Sequence, residues 1–272
     1  MVTVRTVAAM LPLLAGLSVP ASTVLHWDLS SLPAPWVTSL PPTTVAAGLA
    51  ASNLVRGPGL SGANLSQGFA ADDWNSLELD VEPSLAHAVL HGDYFSFAIT
   101  VESGYSASLT ALDMSLRRSA VNAPMFFAWQ YSLDGFASPG VSLVDFTYTG
   151  HAAGTSLPQS TNPAGYMRFG VDPHNKPPDL SGQGELVSQA GNPMPTIDLS
   201  DVNDLQNLPG GTVVTFRLYA WGDASTSAGT TVALGRINGP MLTGTVVPEP
   251  ATIALLLGGL VLLGVSVRRR RG

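Results

Sequence analysis

Residues Asp93 to Glu102, DYFSFAITVE, alternate without a break: Phe95, Phe97, Ile99 and Val101 fall on one side, and Tyr94, Ser96, Ala98, Thr100 and Glu102 on the other. An apolar period of two fits a pleated strand with one face in a core; a helix would repeat its apolar residues every three or four positions. The same period returns in MFFAWQYSLDGF, with Met125, Phe127, Trp129 and Tyr131 on one face before the turn pair Asp134-Gly135. It returns again in TVVTFRLYAWG, where Val214, Phe216, Leu218 and Ala220 oppose Val213, Thr215, Arg217, Tyr219 and Trp221.

After the turn Ser103-Gly104-Tyr105, SASLTALDMSLRRS carries Leu112, Met114 and Leu116 opposite Asp113, Ser115 and Arg117. Its phase slips at Ala111-Leu112, which predicts a bulge or short break. This strand and the preceding one are expected to pair as a hairpin. VSLVDFTYT reads as a further strand, and TVALGRINGPMLTGTVV as the last one or two, with Gly239-Pro240 interrupting the final pattern. The chain holds 28 glycines and 21 prolines, a turn-rich composition that suits many short strands. The expectation is an all-β body, an antiparallel β-sandwich or jelly roll. Two segments rich in Pro, Gly, Ser and Asn, about 28–70 and 150–195, read as long loops, either functional surface loops or partly disordered.

The formal net charge is −7, but its distribution matters more than its sum. Five of the twelve basic residues lie at the ends: Arg5, Arg268, Arg269, Arg270 and Arg271. Between residues 22 and 247 seven basic residues face eighteen acidic ones, a net −11. Such a surface repels phosphate backbones, so a nucleic-acid partner is excluded. There is no cysteine, which removes disulfides, thiol catalysis and cysteine-bound metals while leaving export open.

Both ends read as topogenic segments. Residues 1–21, MVTVRTVAAMLPLLAGLSVPA, have a basic start at Arg5, an apolar run from Val7 to Val19, and small or apolar residues before a cut after Ala21. That is the layout of a secretory signal peptide. At the other end Ala251 to Val267 is uncharged for seventeen residues. As a helix it would be about 25 Å long, just enough to span a hydrocarbon core. Arg268, Arg269, Arg270 and Arg271 follow at once and would hold its C-terminus in the cytoplasm, leaving the body outside. Ahead of it, Pro248-Glu249-Pro250 enforces an extended, non-helical backbone at the outer surface.

The tripeptide, the apolar run and the terminal arginine cluster together resemble the PEP-CTERM sorting signal of Gram-negative bacterial proteins handled by exosortases. The resemblance implies general secretory export, transient anchoring in the inner membrane, and recognition and cleavage near Pro248-Glu249-Pro250 by a transpeptidase-like membrane enzyme. Members of the family commonly accompany extracellular polysaccharide and biofilm loci. The body, over residues 87–247, also resembles the β-sandwich domains that often precede such tails. The resulting division is a signal peptide (1–21), an extracytoplasmic β-sandwich (22–245) and a sorting tail (246–272), with a transmembrane helix at 251–267 and the basic cluster at 268–271.

Catalytic patterns are sparse. No Gly-x-Ser-x-Gly occurs for a serine nucleophile. His87 and His91 in HAVLH have helical metal-ligand spacing without a third ligand nearby, and read better as surface histidines before a strand. Asp198, Asp201, Asn203 and Asp204 form an oxygen-rich loop that is a weak calcium candidate; Leu205 stands where a further ligand would be needed, and turn chemistry explains these residues equally well. Asp72-Asp73-Trp74 could place carboxylates beside a sugar-stacking ring, but a solvated loop with one core tryptophan is preferred. Tyr219 and Trp221 could form a glycan platform, and a place in the core between sheets is preferred for them. Asn64-Leu65-Ser66 fits a glycosylation acceptor, a triplet common by chance. The expectation is therefore an exported, non-enzymatic surface or matrix protein without a cofactor, structural or exopolysaccharide-associated. The rival readings are a glycan-active enzyme and a carbohydrate-binding module displayed by the same tail.

Overall fold

In the computed structural model of the chain the described residues are 20–30, 32, 37–65, 67–74, 84–118, 123–124, 126–143, 147–149, 159–161, 167–168, 192–193, 196–221, 231–235 and 238–249. The proposed signal peptide, apart from Pro20 and Ala21, lies outside them, as do Pro250, the 251–267 span and the arginine cluster. Among the described residues no helix is long and apolar enough to cross a membrane.

The period-two segments form strands, and among the described residues every pairing between strands is antiparallel. An eight-stranded sheet is built on Phe126–Ser132, Val213–Trp221 and Tyr94–Val101, with Val213–Trp221 in the middle of the three. Phe95, Phe97, Ile99, Val101, Phe127, Trp129, Val214, Phe216 and Leu218 line its buried face, as their alternation predicts. A six-stranded sheet is built on Tyr105–Asp113, Asn238–Pro248 and Ser22–Asp28, with the C-terminal strand Asn238–Pro248 between the other two. A five-stranded sheet contains Ser115–Arg118, Val232–Leu234 and Phe69–Asp72. One apolar cluster draws on all three: Trp27 and Leu109 from the second sheet and Phe69 and Leu234 from the third pack with the aromatic face of the first. Trp27 and Phe97 join the two larger sheets with ring centroids 4.9 Å apart. Each large apolar side chain so buried contributes roughly 1.5–3 kcal/mol relative to exposure.

The expected hairpin is not formed. Tyr94–Val101 and Tyr105–Asp113 belong to different sheets, and the turn between them carries the chain across the core. Both edges of Tyr94–Val101 are already taken, by Val213–Trp221 on one side and by Leu49–Ala51 and Leu54–Arg56 on the other. Each strand has one apolar face, and setting the two face to face through the core buries both. A bulge forms one residue before the phase slip expected at Ala111-Leu112. Leu109 pairs with Gly244 and Ala111 with Thr243, so Thr110 is the extra residue. The segment then breaks at Met114, so that Ser115–Arg118 continues in the third sheet instead of extending the same strand.

VSLVDFTYT also divides, into Val141–Ser142 and Thr147–Thr149, with 144–146 outside the described residues. The presumed loop at 28–70 is threaded with short strands that fill sheet edges, among them Ser39–Leu40, Thr44–Val45, Leu49–Ala51 and Leu54–Arg56. Of 150–195 only three short strand segments are described. The Gly239-Pro240 interruption does not stop the last strand. Pairing with the first strand runs His26 to Met241 and then Asp28 to Asn238, so the proline falls in an irregular step where no ladder donor is required. A Cβ on Gly239 would lie 2.7 Å from the Trp27 carbonyl oxygen, which explains a glycine there.

Candidate functional site

The tail joins the body at the end of this last strand. Pairing with Tyr105–Asp113 continues through Val246 with Ala107, Val247 with Ser106 and Pro248 with Tyr105, so the sheet does not stop at residue 245. One residue further on, the Glu249 amide donates to the Gly104 carbonyl at 2.8 Å. In an antiparallel ladder, bonding and non-bonding positions alternate. With Glu249 in a bonding position, Pro248 has its nitrogen on the opposite side, away from Tyr105. That side is open. Pairing with the first strand ends at Ser22 with Gly244, four residues short of the proline. Pro248, which has no N–H, thus costs the ladder nothing at this place. It is exposed, and Glu249 is half-buried.

The partner turn is held from below. Tyr105 donates its amide to the Glu102 carbonyl at 3.1 Å, and Glu102 donates to Gly48 at 2.9 Å. Gly48 has φ +85°, and a Cβ on it would sit 2.4 Å from the Tyr105 ring, so only glycine lets this ring lie beside the motif. Tyr105 and Val246 are both partly buried against the main core.

Both termini of the body leave from this end. The first strand runs antiparallel to the last, with Ser22 beside Gly244 and Asp28 beside Asn238. Ser22 therefore lies about 13 Å along the sheet from Pro248, at ~3.3 Å per residue.

Pro248 and Glu249 are the only parts of the sequence-proposed sorting and membrane-orienting set within the described residues; Pro250, Arg268, Arg269, Arg270 and Arg271 are outside them. The residues that grip the motif, Gly104, Tyr105 and Ser106, were not among the sequence candidates. They lie about 140 positions away in the chain, and no local pattern announces that contact.

The remaining candidates resolve individually. Asp198 accepts from the Ser200 amide at 2.8 Å and from its hydroxyl at 2.6 Å. The Ser200 hydroxyl, followed by its amide, lowers the Asp198 pKa below the usual carboxylate value. Asp204 accepts from the Tyr131 hydroxyl at 3.2 Å, while Asp201 and Asn203 are exposed and Leu205 is buried in the core. The Gln206 amide group ties the loop down by donating to the carbonyls of Leu109 and Leu199, each at 2.8 Å. These are turn and tether contacts. Among the described residues no group of three or more His, Asp or Glu is placed to hold a metal ion.

His87 and His91 do lie on a helix, Leu85–His91, capped by the Ser84 hydroxyl, and their rings sit 4.2 Å apart. His87 is buried, which corrects its reading as a surface residue. Trp74 is buried against Phe95 and donates its indole N–H to the Ala71 carbonyl at 2.7 Å, so it is a core residue as preferred. Tyr219 and Trp221 are buried, but not between sheets. They lie on the outer face of the eight-stranded sheet with Ala88 and Ala128, flanked by Tyr94, Phe126 and Phe136. Strand alternation requires this, since Leu218 and Ala220 take the inner face. Arg217 on the same outer face lies between two rings, 4.2 Å from the centroid of Tyr94 and 3.9 Å from that of Phe136. Asn64 is exposed, and Ser66 of its triplet lies outside the described residues.

Residues 246–271 match the PEP-CTERM protein-sorting motif. No curated protein and no solved structure matches the chain. The motif implies an exported protein that transits a membrane, is processed by an exosortase-type enzyme and ends on the cell surface.

Proposed function

We propose that this chain is a non-enzymatic surface or matrix component, structural or exopolysaccharide-associated, whose β-sandwich body is delivered by two temporary membrane segments. Residues 1–21 start export. Ala251 to Val267 then holds the body outside the inner membrane, with Arg268, Arg269, Arg270 and Arg271 in the cytoplasm, until an exosortase-type enzyme cuts near Pro248-Glu249-Pro250.

One observation carries this reading. Ser22 and Pro248, the first and last residues of the two strands that meet the proposed membrane segments, emerge at the same end of the same sheet. A folded body can therefore stay attached to one bilayer through both ends without strain in its strands. Had the termini left from opposite ends, one of them would need a linker as long as the body. The layered packing of the two larger sheets around shared aromatic residues supports the sandwich description. The burial of Trp74, Tyr219 and Trp221 argues against these three rings as a sugar-stacking platform.

The test is the intact mass of the mature protein from its native host, with and without Glu249→Ala. Loss of residues 1–21 and of the tail from the unmodified chain, with the tail retained in the variant, is the expected result. A mature mass that still contains Ala251 to Gly272 in the unmodified chain overturns the proposal.

A further inference from the structure

The sorting tripeptide does not hang from a linker. Its first residue ends a strand and its second is hydrogen-bonded to a turn of the body. An enzyme that cleaves a peptide needs several consecutive residues in extended form with their edges and faces free, and folded proteins are cut chiefly through local opening. Residues Thr245 to Glu249 meet only half of that requirement. Toward Ser22–Asp28 no described residue pairs with them beyond the Ser22–Gly244 pair. Toward Tyr105–Asp113 it is closed, by the register from Thr245 with Ser108 to Pro248 with Tyr105 and by the Glu249 bond to Gly104. Val246 and Tyr105 pack against the core and add apolar resistance to peeling.

We infer that these five residues are a latch: the body masks the sorting motif, and processing proceeds through a frayed state in which 245–249 has left the strand at 105–108. This rests on the sorting reading above and adds a step that controls its rate. A strand end paired on one side only opens at far lower cost than the sheet as a whole, so the latch slows cleavage without forbidding it. The body's own folding thereby competes with the enzyme for the same segment.

The chain has no cysteine, so a pair introduced across the latch is unambiguous. Ser106 and Val247 face each other in a bonding position of the ladder, where Cα atoms stand about 5.5 Å apart, within the range a disulfide accepts. Tail loss would be followed over time by intact mass in the native host for three chains. These are the unmodified protein, Ser106→Cys/Val247→Cys in oxidised and reduced form, and a chain with Gly-Ser-Gly-Ser inserted between Val247 and Pro248. The insertion frees the motif while keeping its spacing to the apolar span.

The oxidised pair should lose its tail at least about tenfold more slowly than its reduced form, and the insertion should be processed about tenfold faster than the unmodified chain, the scale of one or two net backbone hydrogen bonds. Equal rates for the unmodified chain and the insertion, or for the oxidised and reduced pair, overturn the latch while leaving the sorting reading intact. Retention of the tail by the unmodified chain overturns both. The insertion arm stands alone should the cysteine pair disturb folding.

Discussion

Phe97 shows what a single side chain contributes here. Its ring lies 4.9 Å from Trp27, 5.2 Å from Phe216 and 5.9 Å from Trp129, linking the two larger sheets through one residue. Phe97→Ala removes the contacts and leaves a void that close-packed neighbours cannot fill, so a loss of about 3–5 kcal/mol in urea unfolding is expected. A second residue-scale device is Asp134 in the loop after Phe126–Ser132. Its carboxylate accepts from the Ser132 hydroxyl at 2.6 Å and the Ser138 amide at 3.0 Å. The Ser132 hydroxyl, followed by Ser138, brings its pKa down to about 2. Because the folded value lies below the unfolded one, the contribution is complete above about pH 4 and is lost as pH falls toward 2. Asp134→Asn should flatten that part of the acid limb in a pH series of melting temperatures, and an unchanged limb would contradict the assignment.

At the scale of elements, the short helix Leu85–His91 matters for what it covers. Ala88 from its buried side packs on Tyr219 and Trp221, outside the main core. Its N-cap is the Ser84 hydroxyl, which accepts from the His87 amide at 3.2 Å. Ser84→Ala is expected to cost about 1 kcal/mol and to raise tryptophan exposure in quenching measurements, since the helix is too short to persist without its cap and its packing. Alternation in the sequence identified the faces of Tyr94–Val101, Phe126–Ser132 and Val213–Trp221, because a strand's side-chain direction is set by its own backbone. It did not identify partners. The supposed hairpin after Val101 is a crossing between sheets, and the choice was made by strands from elsewhere that occupy both edges. The segment 28–70 looked like loop because its strands are two or three residues long, too short to show a period. Tyr219 and Trp221 were rightly read as buried, but which layer buries them depended on a helix whose location no local pattern predicts.

For the whole molecule, the last strand is both structural centre and exit. Asn238–Pro248 lies between Ser22–Asp28 and Tyr105–Asp113, so removing 241–249 would strip two inner edges at once. A chain ending at Pro240 should fail to give a cooperative unfolding transition, whereas one ending at Glu249 should melt as the full body does. A reporter fused after Gly272 should be active only in forms that work in the cytoplasm; activity outside would contradict the arginine-set orientation. The sequence by itself determined that the chain is β-rich, acidic, free of cysteine and closed by a sorting tail, because composition, a period of two and a contiguous motif are properties of neighbours along the chain. Tertiary structure alone decided that the motif is tied to the turn at Gly104, that both ends share one side of a sheet, and that the aromatic candidates are packed away. The first two facts, and the burial of Tyr219 and Trp221 under Ala88, depend on contacts between residues more than a hundred positions apart, and such contacts are selected by which apolar faces can be buried together.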